Sequence, residues 1–546
     1  MMNDHNPEEF QHPQLGPIIG RKRNEHVVQF RTIPYARVPA RFRQAELMDR
    51  LPYKQRDFTE YTYACPQTEQ SMEPFGGPIV GEESRRYDEF SCLNLTVTMP
   101  GTLLKPGCTN KVPVMVYVHG GGFTAGAHYG GPHDMTRMAT QACKDSKPVI
   151  IVSIHYRLHF LGFLACQANE NPCNFALYDQ RLAFLWVQKF ISGFGGDVNR
   201  ITAFGESAGS ASLCFHLSSD VPLFNRVVLQ SGTAAAISPT SLTSKENEYL
   251  ALLKFCGIRE DDPRRLEKLR AVPTATIVEA ATAITKAAFS PLAHESFFPI
   301  IPNYVNHKQI VSECPWVDAV ITGDAVFEGY LFAFNLSSVD PVVFCKHTED
   351  ALGAEKARRV LQAYEISRNM DQNLFWTRLC ILCGDVMFSA PCHNMSKKLA
   401  TSNKQFYRYT LSLRNPFPGS AFSNVLGHHF VELIYQFMMF TERFPLQRQR
   451  DISLGFVKKW TAFAYGEEPW TPYTSEEEAI AVADSREGWV VRIRDEDLEC
   501  SAQDEGGQRR YKQWEVLDEV CQELGNQAVK AVQALSFPAL ATLGAS

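Results

Sequence analysis

A serine with a glycine two positions before it and another two positions after it stands in the first half of this 546-residue chain. Residues 205–209 read Gly-Glu-Ser-Ala-Gly, which fits the pattern G-x-S-x-G around Ser207. That pattern is typical of a sharp turn between a strand and a helix, which exposes the serine hydroxyl as a nucleophile. The same pentapeptide also occurs in plain loops, so the hypothesis of a catalytic serine depends on partners elsewhere in the chain.

A glycine loop could supply one of those partners. Nucleophilic attack on a carbonyl needs hydrogen-bond donors aimed at the oxyanion that forms. Three consecutive glycines at 120–122 directly follow the apolar run 112–118, and they leave their backbone N–H groups open to an incoming oxygen. This position predicts an oxyanion loop.

A base and an acid are the remaining requirements, because a serine hydroxyl is a poor nucleophile at neutral pH. Enzymes with this serine turn place the acid after the serine in the chain and the histidine after the acid. Asp324 and Glu328 both follow a later apolar segment, and His428 and His429 both follow a loop rich in proline and glycine. Spacing alone leaves both choices open.

The elements that must position these residues alternate between apolar β-rich segments and long helical crossovers. Strand, crossover, strand is the order that predicts an α/β fold, with a mostly parallel central sheet and helices on both faces. Two largely helical insertions are expected, at about 240–290 and 346–400. The candidate strands lie at 112–118, 148–154, 201–204, 226–230, 319–322 and 405–410.

The chain is predicted to form a single domain over residues 15–525. Residues 1–14 are expected to be a peripheral N-terminal segment and residues 526–546 a C-terminal tail, since chain termini are often peripheral. The stretch 470–510 is charged and reads as a loop.

Composition excludes several classes of function. A net charge of −6 and a pI of about 6.2 give no basic surface, so nucleic acid is not an expected partner. No apolar run approaches 18 residues, and no membrane span is predicted. The polar, acidic N-terminus lacks the features of a signal peptide, which predicts a cytoplasmic protein. His119, His128 and His133 share a loop without suitably spaced acidic ligands, so neither a metal nor another cofactor is expected.

Further motifs identify a family. The chain resembles the type-B carboxylesterases, the cholinesterase-like and fungal-lipase-like branch of the α/β-hydrolases, from about residue 15 to about residue 520. It is most similar to intracellular fungal members. Besides the serine turn and the glycine loop, the motifs lie at 30–36 (Phe-Arg-Thr-Ile-Pro-Tyr-Ala), 156–158 (Tyr-Arg-Leu), 177–180 (Leu-Tyr-Asp-Gln), 186–187 (Trp-Val), 194–197 (Phe-Gly-Gly-Asp) and 230–232 (Gln-Ser-Gly).

The resemblance assigns roles that spacing leaves open. It implies an α/β-hydrolase fold and a catalytic triad of Ser207, Glu328 and His429. The family's oxyanion donors correspond to the backbone N–H groups of Gly121, Gly122 and Ala208. Candidates for an acyl pocket are Phe123, Phe297 and Phe298.

The chain also departs from its relatives. Relatives tie a flap over the active site with a disulfide, and Cys65 matches the first half of that bond. Phe90 stands where the second cysteine is expected. Cys92 lies two residues further on, where it could substitute, but both thiols are expected to be reduced. The flap, residues 66–91, contains no tryptophan, which cholinesterases use to hold a quaternary ammonium.

The predicted function is therefore a serine carboxylesterase that acts through an acyl-enzyme on small soluble esters. The polar flap favours soluble esters over triglyceride, and the missing tryptophan disfavours choline esters. An alternative is the same chemistry used for acyl transfer or ring closure in small-molecule biosynthesis. A non-catalytic scaffold or adhesion relative is a further alternative. The natural substrate, its acyl length and the oligomeric state are left open.

Overall fold

A large central sheet organises the chain. A computed structural model describes residues 6–52, 55–79, 82, 84–105, 108–167, 173–285, 288–502, 508–528 and 535. Within these residues twelve strands form one sheet in the order β1-β2-β3-β8-β10-β9-β11-β12-β13-β14-β15-β16. The strands from β10 to β15 in that order are parallel, and antiparallel strands extend the sheet on both sides. The predicted mostly parallel sheet is confirmed.

The strands of this sheet, and those of two small two-stranded sheets formed by β4 with β5 and by β6 with β7, have the following bounds. They are β1 (Pro7–His12), β2 (Gly16–Lys22), β3 (Val27–Pro34), β4 (Ala36–Arg37), β5 (Glu46–Leu47), β6 (Tyr63–Ala64), β7 (Arg86–Tyr87), β8 (Asn94–Pro100), β9 (Val112–Val118), β10 (Ile150–Ile154), β11 (Gly196–Glu206), β12 (Arg226–Gln230), β13 (Ala319–Ala325), β14 (Gln405–Ser412), β15 (Ala479–Asp484) and β16 (Gly488–Ile493).

Helices cover both faces of the sheet. They are α1 (Thr136–Lys144), α2 (His159–Phe163), α3 (Phe175–Phe190), α4 (Ala208–Leu217), α5 (Leu242–Phe255), α6 (Arg265–Ala271), α7 (Thr274–Ile284), α8 (His307–Glu313), α9 (Ala333–Leu336), α10 (Pro341–Leu352), α11 (Ala354–Ala363), α12 (Gln372–Gly384), α13 (Ala390–Leu399), α14 (Val431–Tyr435), α15 (Gln447–Tyr465), α16 (Arg494–Ser501) and α17 (Tyr511–Leu524).

The strand β9 shows why both faces must be covered. Its sequence is apolar throughout, and alternate side chains of a strand point to opposite faces. Val114 and Val116 enter one core cluster with Phe184 of α3, and Met115 enters a second cluster with Trp460 of α15. Each face is therefore a separate apolar core, as an α/β sheet requires.

Both ends of the chain are more integrated than predicted. Residues 1–5 lie outside the described residues, but Pro7–His12 forms the edge strand β1, and the buried His12 lies 3.0 Å from the Phe190 carbonyl. Of residues 526–546, only 526–528 and 535 are described, and Ala528 and Leu535 are buried in the core. The prediction that these described parts are peripheral is corrected, because sheet pairing and core packing hold them.

A second correction concerns 470–510. Strands β15 and β16 pair there antiparallel, and α16 follows them. The strand β15 is buried along its whole length next to β14. A run of glutamates before it and a charged loop after it conceal this short apolar strand in the sequence.

One helical stretch within the described part of the chain is long and apolar enough to cross a membrane. This stretch, Gln372–Leu399, joins α12 and α13 through one π-helical turn, Asp385–Ser389. In its most apolar window, 72% of the residues are buried inside the molecule, which is the behaviour of a core helix.

Candidate active site

Ser207 lies on a strained turn at the carboxyl end of β11. The strand ends at Glu206 and α4 begins at Ala208, so Ser207 alone makes the reversal, with φ 56° and ψ −121°. Residues with a Cβ rarely adopt these backbone angles, and backbone strain of this kind clusters at functional sites. A Cβ at Gly209 would collide with the Val118 carbonyl, and one at Gly205 would lie 2.7 Å from the same oxygen. The two glycines are required by the turn.

His429 and Glu328 form a buried pair beside this turn. His429 Nδ1 donates to Glu328 Oε2 at 2.6 Å, and the Ala325 N–H donates to the other carboxylate oxygen, also at 2.6 Å. Both side chains are almost completely buried, and the Phe388 ring lies against the imidazole with its centroid 4.4 Å away. The carboxylate therefore fixes both the orientation of the imidazole and its tautomer.

The competing residues have other partners. Asp324 forms a buried ion pair with Arg408. The His428 ring lies next to its neighbour's backbone carbonyl and the Asn415 amide, among the rings of Phe422 and Phe430. The structure thus brings Glu328 and His429 to the serine turn, and it leaves Asp324 and His428 outside that group.

The far nitrogen of His429 is open toward the serine. Nε2 makes no hydrogen bond with any described residue, and His429 and Ser207 line the same cavity. Glu206 Oε1 lies 3.2 Å from Nε2, without the geometry of a hydrogen bond. A catalytic hydrogen bond is often long before substrate binds. This nitrogen is consequently free to accept the serine proton.

Three backbone N–H groups border the serine without an acceptor among the described residues: those of Gly121, Gly122 and Ala208. Gly121 and Gly122 both have positive φ, +98° and +61°, which glycine tolerates at no cost. Ala208 is the first residue of α4, where the N–H has no partner within the helix and the helix dipole favours negative charge. The three groups can stabilise an oxyanion.

Two buried carboxyl groups were missed by the sequence analysis as parts of the site. Burial raises the pKa of Glu206 well above its ordinary value, and the charge of Glu328 raises it further. The pKa of Glu432 is also raised well above its ordinary value, mainly by burial and secondly by the charge of Glu206. The Ser231 hydroxyl donates to Glu432 Oε1 at 3.3 Å. Their position gave the only signal: Glu206 lies inside the pentapeptide and Glu432 three residues after His429.

Ser207, His429, Glu206 and the glycines 120–122 line a cavity of about 480 Å³. Its apolar lining comes from the flap, the helical insertions and the loops around His429. The polar lining includes Gln70, Arg85, Thr124, His133 and Asn335. The larger apolar side chains are Met72, Phe75, Ile237, Leu331, Phe332, Met387, Phe388, Phe422, Phe430 and Leu433.

The predicted acyl-pocket residues do not line this cavity. Phe123, Phe297 and Phe298 are fully buried in the core. Phe123 packs on Phe163 with ring centroids 4.7 Å apart, and Phe297 packs edge-on against Phe298 at 4.9 Å. Their apolar surface packs between helices of the core, so they lie outside the residues that line this cavity.

The flap is closed without a covalent bond. Cys65 and Cys92 are buried free thiols, and contact with the Cys65 thiol raises the pKa of the Cys92 thiol well above its ordinary value, with burial second. Near Cys92, the Arg41 guanidinium forms a bidentate ion pair with the Glu89 carboxylate, with N···O distances of 2.8 and 2.5 Å. This buried ion pair holds the far end of the flap.

No group of three or more His, Cys, Asp or Glu side chains in the described part of the chain is arranged to hold a metal ion. His119, His128 and His133 are buried there, and burial is the main cause that lowers the pKa of each.

Comparison with known proteins gives a consistent result. The sequence model of the carboxylesterase family matches residues 8–513. Lipase 1 of Yarrowia lipolytica is 29% identical over 455 residues, which cover 81% of this chain and 84% of the relative. A cholinesterase of Mus musculus is 28% identical, with 82% and 76% covered. A solved PNB esterase superposes with a TM-score of 0.71 at 25% identity, covering 90% of this chain and 97% of that one.

Proposed function

This chain belongs to the carboxylesterase family, and from that membership we propose that it cleaves small, water-soluble esters through an acyl-enzyme on Ser207. The chain is a carboxylic ester hydrolase of the serine type. The observation that carries the proposal is the buried Glu328–His429 pair, whose open Nε2 lies in one cavity with Ser207.

In the acylation step, His429 Nε2 takes the proton of Ser207 while the serine oxygen attacks the ester carbonyl. Glu328 keeps Nδ1 as the protonated nitrogen and stabilises the imidazolium that forms. The N–H groups of Gly121, Gly122 and Ala208 bind the oxyanion, which requires no rearrangement of the protein. The alcohol then leaves with the proton that His429 returns to it.

In the deacylation step, water replaces the alcohol. His429 takes a proton from the attacking water, the same donors bind the second oxyanion, and the carboxylic acid leaves as Ser207 regains its proton. Burial, which raises the pKa of Glu206 well above its ordinary value, favours the uncharged form of this carboxyl beside the developing oxyanion.

Two features of the cavity support small esters over choline esters. A volume of about 480 Å³ suits a compact ligand. The flap contributes Met72 and Phe75 to the lining but no tryptophan, and it contributes the cation Arg85. A positive charge at this position repels a quaternary ammonium group. The mouse relative, in contrast, carries the name cholinesterase, which denotes an enzyme that acts on choline esters.

We further propose a reducing, cytoplasmic location. The support is the pair Cys65 and Cys92, two buried thiols held side by side without a bond between them. In an oxidising compartment two thiols in contact become a disulfide. Protein extracted from cells, alkylated after denaturation without a reductant and analysed as peptides by mass spectrometry, tests this. Alkylated Cys65 and Cys92 support the location, and a Cys65–Cys92 disulfide, lighter by two hydrogen atoms than the two thiols, contradicts it.

The experiment that tests the function is a series of 4-nitrophenyl esters from acetate to decanoate, assayed with and without a competing alcohol. We expect turnover of the short esters, which is abolished in Ser207→Ala. Product that depends on the alcohol would indicate acyl transfer as the main reaction. The absence of serine-dependent turnover on every ester would overturn the proposal in favour of a scaffold.

A further inference from the structure

Arg85 is the only lysine or arginine among the described residues that line the catalytic cavity. It lies on the flap, is half-buried, and hydrogen-bonds the Tyr129 carbonyl through Nη2 at 3.3 Å. An arginine side chain carries five N–H donors in a fixed fork. A single bond to a carbonyl leaves donors available on the cavity side.

This arginine differs from the other buried arginines of the molecule. Arg41, Arg157 and Arg408 each form an ion pair with a carboxylate. Arg85 has no carboxylate within 4 Å among the described residues. The adjacent Glu82 accepts a hydrogen bond on each carboxylate oxygen, from the backbone N–H groups of Gly131 and Ile79. Arg85 therefore makes no direct ion pair with any residue that the structure describes.

A second polar group that lines this cavity has no hydrogen-bond partner among the described residues. His133 is about nine-tenths buried and lines the cavity, and neither of its ring nitrogens makes a hydrogen bond with a described residue. Desolvation is the first cause that lowers the pKa of His133 well below its ordinary value, and the charge of Arg85 contributes. The ring is neutral at physiological pH and offers one N–H donor beside the guanidinium.

A guanidinium without a direct ion pair and an N–H donor without an acceptor among the described residues, both lining one cavity, match a carboxylate, which accepts from an arginine through two oxygens. We propose that the cavity accepts esters that carry a carboxylate on the acyl or the alcohol part, and that Arg85 binds this carboxylate. The inference rests on the proposed esterase function and specifies its substrate class. The carboxylate supplies the direct ion-pair partner that Arg85 lacks among the described residues.

The test compares two matched substrates. Mono-4-nitrophenyl esters of dicarboxylic acids, from glutarate to suberate, carry the charge, and the corresponding methyl 4-nitrophenyl diesters lack it. We expect the wild type to prefer the charged ester at one chain length, and added salt to weaken that preference. In Arg85→Gln, kcat/KM for the charged ester is expected to fall about 10- to 100-fold, with less than about threefold change for the diester.

A control lies at the next position. Arg86 is exposed, donates to the Tyr61 carbonyl at 2.7 Å and does not line the cavity. The Arg86→Gln variant is expected to keep the wild-type preference, and Arg85→Lys to keep part of it because the charge remains. Equal losses on both substrates in Arg85→Gln would overturn the inference and show a structural role for Arg85. A wild type that prefers the diester at every length would overturn it as well.

Failure of the function itself is distinguishable. A wild type that cleaves neither substrate contradicts the proposed esterase function. Isothermal titration calorimetry of adipate binding to the wild type and to Arg85→Gln then tests the inference independently of turnover. Binding that is lost in the variant supports it, and the absence of binding to the wild type overturns it.

Discussion

Two parts of the cavity lining are built by different means. One part, here called the sheet wall, consists of residues 120–122, 206, 207 and 429 beside the carboxyl ends of the parallel strands, with Glu328 behind His429. The other part is the flap, whose residues 70–72, 74, 75 and 85 line the cavity. In the sheet wall, backbone hydrogen bonds hold the groups of the predicted triad, as the bonds from the Ser207 N–H to the Gln230 carbonyl and from the Ala325 N–H to Glu328 show.

Side chains from other parts of the chain hold the flap. Arg443 donates to four consecutive flap carbonyls, those of Phe75 at 3.0 Å, Gly76 at 3.2 Å, Gly77 at 2.8 Å and Pro78. At the other end, Gln67 exchanges two hydrogen bonds with the backbone of Gly126. Each such bond contributes about 1 kcal/mol, so single changes can loosen the flap without unfolding the sheet.

The sheet wall and the flap therefore have different roles. The sheet wall carries the groups that would act on the ester bond, and their positions follow from strand register. The flap carries Arg85 and closes the cavity, and its position follows from a few long-range contacts. Changes in the sheet wall should alter the rate of the chemical step, and changes in the flap should alter binding.

The largest effect is expected for Ser207→Ala in the sheet wall. Loss of a nucleophilic serine from a comparable triad lowers kcat about a millionfold. The measurement is kcat on a short 4-nitrophenyl ester, together with a thermal unfolding curve. The unfolding midpoint should stay at or above that of the wild type, because alanine removes no buried hydrogen bond. Turnover near the wild-type rate would contradict the role of Ser207.

The second-largest effect is expected for Glu328→Gln, and it distinguishes Glu328 from Asp324 as the acid of the predicted triad. Glu328→Gln should lower kcat about 10⁴-fold, because an amide no longer fixes the tautomer or stabilises the imidazolium of His429. Asp324→Asn is the matched control, in which the buried Arg408 loses its ion-pair partner. We expect this variant to lose about 3–5 kcal/mol of stability. Its folded fraction should keep kcat within about threefold, and the reverse pattern would exchange the two roles.

Acidic pH should lower the stability of the folded protein through the buried histidines His128, in the loop after β9, and His155. His128 Nε2 and His155 Nδ1 both lie about 3 Å from Asn94 Oδ1, at 3.0 and 3.1 Å, while the Asn94 amide nitrogen donates to two carbonyls. Both histidines must therefore donate to that oxygen, and their remaining nitrogens have no described partner. Burial lowers the pKa of His128 to about 3, from an ordinary value of 6.5.

The sign of the effect follows from this lowered pKa. Below pH 6.5 the unfolded chain binds a proton at His128 that the folded protein excludes, so the free energy of unfolding falls as the pH falls. The contribution is about 1.4 kcal/mol per pH unit. Urea unfolding between pH 6 and pH 4.5 should show a smaller slope with pH in His128→Asn than in the wild type. Equal slopes would contradict the buried neutral state.

The smallest effect is expected in the flap. Arg443→Gln removes the donors to the flap carbonyls, and we expect KM to rise about three- to tenfold with little change in kcat. Arg137→Gln is the control, because Arg137 contacts Thr441 and Glu442 but no described residue of the flap. A loss of kcat without a change in KM would place the flap in the chemical step and remove the distinction between the walls.

Sequence reasoning succeeded where the geometry is local. The turn at Ser207 is encoded within five residues, because its glycines are the ones that neighbouring backbone requires. The parallel sheet was predictable because strands buried on two faces must be apolar throughout. The charge of Arg85 was visible, but its place on the cavity wall depends on how the flap folds over β9 and the loop that follows it.

Sequence reasoning failed where burial depends on a distant partner. Phe123, Phe297 and Phe298 have the composition of a pocket, yet helices from other parts of the chain cover them. The edge strand β1 and the buried strand β15 become recognisable only when β2 and β14 pair with them.

The sequence by itself determined the fold class, the family and the strained serine turn, because each rests on periodicity or on steric needs within a few residues. Tertiary structure decided the rest. It separates Glu328 from Asp324 and His429 from His428, because residues only one to four positions apart point in different directions and meet different partners. It also leaves Arg85 without a direct ion pair among the described residues, because an ion pair depends on which side chains meet in space and not on their order in the sequence.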